Sequence, residues 1–466
     1  MAEHNGTPSD LLVIFGITGD LARKMTFRAL YRLERRHLLD CPILGVASDE
    51  MTVEQLVKRA RDAIGTAEDI DEAVFDRLAQ RLSYLHGDVT DAALYEALAA
   101  QIGADRHPLY YLEMPPSLFA PIVENLGNAD LLQHARVAVE KPFGHDLASA
   151  RELNARLRAV LREDQILRVD HFLGKQPVAE LEYLRFANTT LAELWDRRSI
   201  SQIHITMAED FGVEDRGKFY DAVGTVRDVV QNHLLQVLAL VAMEPPVGPS
   251  ADDLNDKRAE VFRAMPALDP AHYVRGQYAG YTDIDGVADN SQTETFVALR
   301  MEIDNWRWAG VPIFLRAGKA LPEKVTEVRL FTRRVPALAF LPKRERAERN
   351  QIVLRVDPDP GMRLQLVAQR DDSWGDVHLD SSFAADLGEP IQPYERLLHA
   401  GLTGDRQLFA REDSIEETWR IVQPLLDTPG AVHTYQPGSW GPDAAHTLLR
   451  GHQGWQEPWM PGDKRA

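Results

Sequence analysis

Cysteine is almost absent from this chain of 466 residues: Cys41 alone excludes an internal disulfide and a cysteine-rich metal site, and fits a reducing compartment. Long apolar runs are missing too. The greasiest stretch, "HLLQVLALVAMEPP", is broken by polar residues and ends in prolines, too short to span a bilayer. The opening "MAEHNGTPSD" has neither a basic patch nor an apolar core, so no signal peptide is expected. Excess basic charge is lacking as well. Lys and Arg number 52 against 71 Asp and Glu, a net charge of -19, and the two signs are interspersed. A general affinity for nucleic acid or anionic membrane is therefore not expected, and an anionic ligand must meet a local basic pocket. These absences describe a soluble cytoplasmic protein without a metal site, long enough for two domains.

What is present is first an alternation. "LLVIF" (Leu11 to Phe15) is a continuous apolar run with β-branched residues, as in a strand buried on both faces. Leu21, Met25, Leu30 and Leu33 then recur at roughly helical spacing. "PILGVAS", "RLSYLHGDVTD", "PLYYLEMPP", "ARVAVEKPFG" and "QILRVDHF" continue the series of strand ends, with helical segments between them. The pattern predicts an N-terminal Rossmann-like, doubly wound parallel sheet over residues 1–170, with ligands at the C-terminal edge of its strands. Residues 171–466 differ: after a helical block near 224–244, strand-like runs succeed one another without helices. This predicts a larger C-terminal α+β domain with a mainly antiparallel sheet. The basic stretch "PKRERAERN" (Pro342 to Asn350) reads as a solvated connection, and no internal repeat is visible.

"VIFGITGDLARK" sets Gly16 and Gly19 between the first strand and its helix, where glycine lets the backbone approach a pyrophosphate met by free N–H groups. The third glycine of the dinucleotide fingerprint is missing, and Thr18 or Asp20 could equally cap an ordinary strand-to-helix turn. At the second strand end, "GVASDEM" offers Ser48, Asp49 and Glu50 with no arginine. A carboxylate suits a free ribose 2′-OH and repels a 2′-phosphate, so NAD is tolerated and NADP lacks an obvious anchor; Asp49 could instead cap the next helix.

The remaining candidates also sit at strand ends. Lys141 in "VEKPFGHD" should emerge at the ligand edge, before Pro142, where a cis bond is possible. In "RVDHFLGK", Asp170 and His171 would face opposite ways on an extended strand, leaving His171 and Lys175 to hold a phosphate across Gly174 while Asp170 seeks another partner. "GTVRDVVQNHLLQVLALVAME" reads as a buried helix interrupted by Asp228, Gln231, Asn232 and His233. Asp228 and His233 would lie about 140° apart around an α-helix and flank a ligand. His233 is then available to a carboxylate from elsewhere.

Taken together, "GITGDLARK", "EKPFG", "RVDHFLGK", "AEDFGVEDRG", "RDVVQNHLLQ" and "GVPIFLRAGKAL" resemble, in this order, the glucose-6-phosphate dehydrogenase family, from about Leu11 to Pro442. The resemblance implies hydride transfer from C1 of β-D-glucose 6-phosphate to NAD(P), giving 6-phosphogluconolactone, the first step of the oxidative pentose phosphate pathway. By the same resemblance His233 is the general base and Asp170 its orienter. His171 and Lys175 hold the substrate phosphate, and Lys141, Glu209, Asp228, Lys319 and Lys324 complete the substrate side. Gly16, Thr18, Gly19, Asp20, Leu21, Ser48, Asp49, Tyr111 and Lys141 line the cofactor. NADP is the family's expectation, and a homodimer or homotetramer formed through the second-domain sheet is implied.

The chain departs from the family at Ser48–Asp49, where an arginine is usual. Met25 stands for a lysine, Phe172 for a tyrosine and Asp357 for a glutamine. The first change bears on cofactor preference. Phe172 removes a hydroxyl from the phosphate shell, which should weaken substrate binding modestly.

Overall fold

The computed structural model describes residues 7–103, 105–336, 349–370, 373–388 and 391–462. Residues 1–6 of the amino terminus and 342–348 of the basic stretch lie outside that set. The chain forms two compact units. One comprises residues 1–176, 246–257 and 391–416; the other comprises 177–245, 258–390 and 417–466. The boundary expected at 170/171 thus has no counterpart for the two later segments of the first unit. Nothing in the periodicity of a helix such as Pro393–Thr403 tells which sheet it will cover.

The first unit is built on a seven-stranded sheet. Strands β1 (Leu11–Phe15), β2 (Ile43–Ala47), β3 (Leu82–His86), β4 (Pro108–Leu112), β5 (Arg136–Glu140) and β6 (Ile166–Val169) are parallel, in the order β3-β2-β1-β4-β5-β6. That order reverses direction between β1 and β4, the switch point at which open α/β sheets bind ligands. Every residue of β1, β2 and β4 is buried, as their unbroken apolar runs require. The short strand Phe409–Ala410 closes the β6 edge antiparallel. Helix α1 (Phe27–Arg35) and helix α2 (Val53–Gly65) pack on the β1–β3 side. The second starts at a capping box, in which Thr52 accepts from the Gln55 N–H and the Gln55 side chain accepts from the Thr52 N–H. Its buried face is Leu56, Ala60, Ala63 and Ile64, the i, i+4, i+7, i+8 stripe of an amphipathic helix.

The second unit carries a nine-stranded sheet. Its central strands are β7 (Ile200–Ala208), β8 (Tyr273–Tyr278), β9 (Phe296–Met301), β10 (Ile313–Gly318) and β11 (Val325–Thr332). Strands β12 (Gln351–Asp357), β13 (Gly361–Arg370) and β14 (Ser373–Ser382) extend one edge, and Val432–Tyr435 forms the other. Neighbouring strands are antiparallel except at β7/β10 and at β8 with Val432–Tyr435, which are parallel. The mainly antiparallel α+β domain expected from sequence is what the chain builds. Among the described residues no helix is long and apolar enough to cross a membrane.

Candidate functional site

The expected site residues divide between the two units. Gly16, Thr18, Gly19, Asp20, Leu21, Ser48, Asp49, Tyr111, Lys141, Asp170, His171 and Lys175 belong to the first; Glu209, Asp228, His233, Lys319 and Lys324 belong to the second.

In the first unit, Gly16 leaves β1 with φ +82°, and a Cβ there would lie 2.4 Å from the Glu113 carbonyl oxygen just beyond β4. Only glycine fits at this point of the switch region. The Gly16 N–H donates to the Val46 carbonyl (2.8 Å) and the Gly19 N–H to the Gly16 carbonyl (2.8 Å), so the loop folds tightly against both strands before a π-helical turn, Ala22–Thr26. A tight turn with glycine at both ends, Gly16 and Gly19, fits the pyrophosphate of a dinucleotide. Neither Thr18 nor Asp20 caps that turn. Instead the Thr18 hydroxyl donates to Asp49 Oδ2 at 2.5 Å, while Asp20 accepts from Arg23 (3.0 Å) and lies 3.8 Å from Lys24. Ser48 is exposed, and Asp49 does not cap α2, whose cap is Thr52.

Farther along the same sheet edge, the Lys141–Pro142 bond is cis, the isomer open to that dipeptide. Two carboxylates lie at this strand-end edge, Glu140 closing β5 and Glu113 just past β4. Burial first of all pushes Glu140 up to about 7, and the Tyr111 hydroxyl donates to its Oε1 at 2.5 Å. The Tyr394 hydroxyl is hydrogen-bonded to the same carboxyl group. Glu113, half-buried as a residue but with Oε2 enclosed, is pushed up to about 8 by the desolvation of its carboxyl group and accepts from the Thr26 hydroxyl. Tyr111 is therefore an anchor of Glu140, which is a role that the sequence does not suggest.

Strand β6 ends at Val169, so Asp170 and His171 do not continue an extended strand and the expectation of opposite faces loses its premise. Asp170 opens a turn: its carbonyl accepts from the Leu173 N–H (3.0 Å) and its Oδ1 from the Phe172 N–H (2.9 Å). An aspartate bonding its own backbone two residues on is a stable way to leave a strand. Phe172 and Gly174 are buried, and a Cβ on Gly174 would meet Leu397 at 2.8 Å. The turn thus exposes His171 and Lys175 in part, with Lys175 Nζ 4.2 Å from the Phe172 ring centroid, a cation–π contact where the family's tyrosine would stand.

In the second unit, Glu209 follows β7 and Lys319 follows β10, the parallel central pair. The Lys319 ammonium donates to Glu209 Oε2 at 2.5 Å. Lys319 is buried between the Phe211 and Tyr220 rings, each 5.1 Å from Nζ. Lys324 is exposed and lies 3.9 Å from Asp357. Asp228 and His233 sit on Val226–Leu234, which is π-helical and continues as the α-helix Leu235–Ala242. Bonding of i to i+5 brings residues five apart toward one face, so Asp228 and His233 are not splayed by about 140° as an α-helix would place them. Asn232 steadies the segment: its Nδ2 donates to the Arg227 carbonyl (3.0 Å) and its Oδ1 accepts from the His233 N–H (2.6 Å). Gln231 donates to Thr418 (3.0 Å). The two side-chain amides that interrupt the apolar face, Gln231 and Asn232, thus have partners, as burial demands.

Glu294 latches the start of this segment. Its Oε1 accepts from the Val226 N–H (3.1 Å) and its carbonyl from the Thr225 N–H (3.1 Å), while Gly224, at φ +70°, leaves the room its carboxyl group fills. Sequence reasoning passes over Glu113, Glu140, Tyr394 and Glu294. The first two carry a signal, an acid at the end of an otherwise apolar strand. Tyr394 and Glu294 carry none.

The model for the glucose-6-phosphate dehydrogenase NAD binding domain matches residues 13–180, and that for the glucose-6-phosphate dehydrogenase C-terminal domain matches 182–459. The chain is 80% identical over 461 residues to glucose-6-phosphate 1-dehydrogenase 1 of Mycobacterium tuberculosis, covering 99% of each protein. It resembles the crystal structure of glucose-6-phosphate 1-dehydrogenase from Mycobacterium avium at TM-score 0.93 and 76% identity, over 97% of this chain and 99% of that one. It also resembles a glucose-6-phosphate dehydrogenase solved in complex with its substrate glucose-6-phosphate, at TM-score 0.89 and 32% identity, over 97% of this chain and 100% of that one.

Proposed function

Because the chain belongs to the glucose-6-phosphate dehydrogenase family, we propose that it oxidises β-D-glucose 6-phosphate at C1 to 6-phosphogluconolactone, the first step of the oxidative pentose phosphate pathway. It is an oxidoreductase acting on a CH–OH donor. The Gly16–Gly19 cradle would hold NAD(P), which when bound would supply the acceptor for the hydride leaving C1. The C1 hydroxyl proton passes to His233, and C1 becomes the lactone carbonyl; imidazole suits the step because histidine as a residue type titrates near neutrality. Asp170 orients His233 and stabilises its imidazolium. His171 and Lys175 hold the substrate phosphate; Lys141, Glu209, Asp228, Lys319 and Lys324 contact the sugar side.

The observation that carries this reading is the π-helical segment, which holds a buried histidine and an aspartate toward one face and satisfies every intervening amide. A second copy of the chain is the fitting partner for the outer edge of the nine-stranded sheet, where Leu366 on β13 and Val377 and Leu379 on β14 are exposed. A cytoplasmic location suits the lone cysteine and the substrate. Purified protein with glucose 6-phosphate and either dinucleotide should develop the absorbance of reduced nicotinamide; none with either one would leave only a binding protein.

A further inference from the structure

We propose that the 2′-phosphate of NADP is held by a basic pocket between the π-helical turn Ala22–Thr26 and α2, with Lys58 and Arg59 taking the place of the arginine absent at position 48. The inference rests on the dinucleotide reading of the Gly16 turn and names the residues that decide between its two cofactors.

A cavity of about 500 Å³ is lined by Arg23, Lys24, Arg28, Lys58 and Arg59 together with Met51, Gln55 and one carboxylate, Asp62. Five cations against one lining carboxylate is a local inversion of sign in a chain of net charge -19. Like cations crowded on three neighbouring elements, the π-helical turn, α1 and α2, repel one another, and that arrangement is favourable when an anion sits among them. Ordinary ion pairing does not use the charge up. Arg23 and Lys24 share the exposed Asp20, and Arg28 is spent on the Ala63 carbonyl and the Thr66 hydroxyl. Among the described residues Lys58 pairs with no carboxylate, and Arg59 Nε is buried without a hydrogen-bond partner.

Arg59 also ties the pocket to the cofactor turn. Its NH2 group donates to the Thr18 carbonyl, and the Thr18 hydroxyl donates to Asp49 Oδ2 at 2.5 Å. Thr18 and Asp49 flank the place where the adenosine ribose of a dinucleotide meets the end of β2 in this fold. The guanidinium therefore approaches that place from α2 rather than from the strand end. Asp49, which by charge alone would repel a 2′-phosphate, has one oxygen engaged by a hydroxyl. Position 59 comes from the edge of the α2 stripe that Leu56, Ala60 and Ala63 bury, so packing aims it inward, while Lys58 remains exposed at the rim.

The test measures nucleotide binding calorimetrically, with 2′,5′-ADP and 5′-AMP as probes and inorganic phosphate as a third arm. Wild type should bind 2′,5′-ADP about tenfold or more tightly than 5′-AMP, the gain expected of charge-assisted hydrogen bonds to one phosphate. Lys58→Ala and Arg59→Gln should each narrow that gap, together close it, and reduce its dependence on salt, with 5′-AMP affinity unchanged. Lys58 is exposed, so its variant keeps the test decisive if Arg59→Gln fails to fold. No gap in wild type, or a gap that survives in the double variant, overturns the proposal. An equal loss of 5′-AMP affinity overturns it too, since the pocket would then hold the nucleoside. Competition by inorganic phosphate against 2′,5′-ADP but not against 5′-AMP supports it; competition against both or neither refutes it. None of these readouts depends on turnover, so they fail separately from the dehydrogenase reading.

Discussion

Lys319 Nζ and Glu209 Oε2 are 2.5 Å apart although 110 positions separate them in the chain. The pairing follows from topology: β7 and β10 are parallel neighbours, so the residues leaving both strands emerge at the same edge. Lys319 is buried, whereas the Glu209 side chain is 32% exposed, so water partly shields the pair.

Lys319→Met should leave the Glu209 carboxylate without its cation and remove a charge from the substrate edge. The expected result is a rise of about tenfold or more in KM for glucose 6-phosphate, with Glu209→Gln giving a smaller change because a neutral acceptor remains. Steady-state kinetics of both variants check this. Equal, negligible effects would show that the pair is only structural.

His233→Asn should lower kcat by about 10² to 10⁴, the usual worth of a positioned base. Glucose 6-phosphate affinity, read by calorimetry, should stay within a few fold, because His171 and Lys175 lie on another element. Asp170→Asn should lower kcat as well and move the acidic limb of the pH–rate profile, whereas a purely structural aspartate would lower thermal stability without moving that limb.

Glu140 and Glu113 should make stability fall as the medium becomes less acidic. Both carboxyl groups are held above the ordinary carboxylate value of 4.5 by burial, at about 7 and about 8. Below 4.5 both states carry the protons and no cost arises. From 4.5 upward the unfolded chain releases them first, so unfolding becomes easier until pH passes the folded values. Within that window each group withdraws at most about 1.4 kcal/mol per pH unit. Denaturant titrations from pH 4.5 to 8.5 should show a flatter profile for Glu140→Gln and for Glu113→Gln than for wild type.

Leu379→Asp should lower the mass measured by light scattering, because β14 presents Leu379 at 54% exposure and Val377 at 41% on one face, with Leu366 at 39% on β13 beside Val377. An unchanged mass would remove that sheet face from any contact between copies.

Much of this molecule is legible in its residues, and the illegible parts share a cause. Continuous apolar runs such as "LLVIF" leave one solution, a strand buried on both faces, and the glycine turn after it comes from backbone sterics. The segment Val226–Leu234 reads as α-helical from its residues because α and π turns bury the same kind of apolar face. Their difference lies in a hydrogen-bond ring that the Asn232 and Glu294 contacts help to set, and Glu294 is sixty-six positions after Asp228. Asp170 reads as extended because the point where a strand stops depends on the turn beyond it, here one closed by the Leu173 and Phe172 amides. Arg59 gives no signal, since α2 shows which flank points toward the cofactor turn only once it is packed.

The helix Pro393–Thr403 and the strand Phe409–Ala410 complete the first unit from far down the chain. Leu397, Leu398 and Gly401 cover Leu109, Ala138, Leu167 and Val169, all of them on strands made within the first 170 residues. On the ribosome, then, an apolar sheet face waits through the synthesis of more than two hundred further residues before its cover exists. The timing of translation is part of what this fold must survive, and a nascent chain halted before residue 391 carries that face bare.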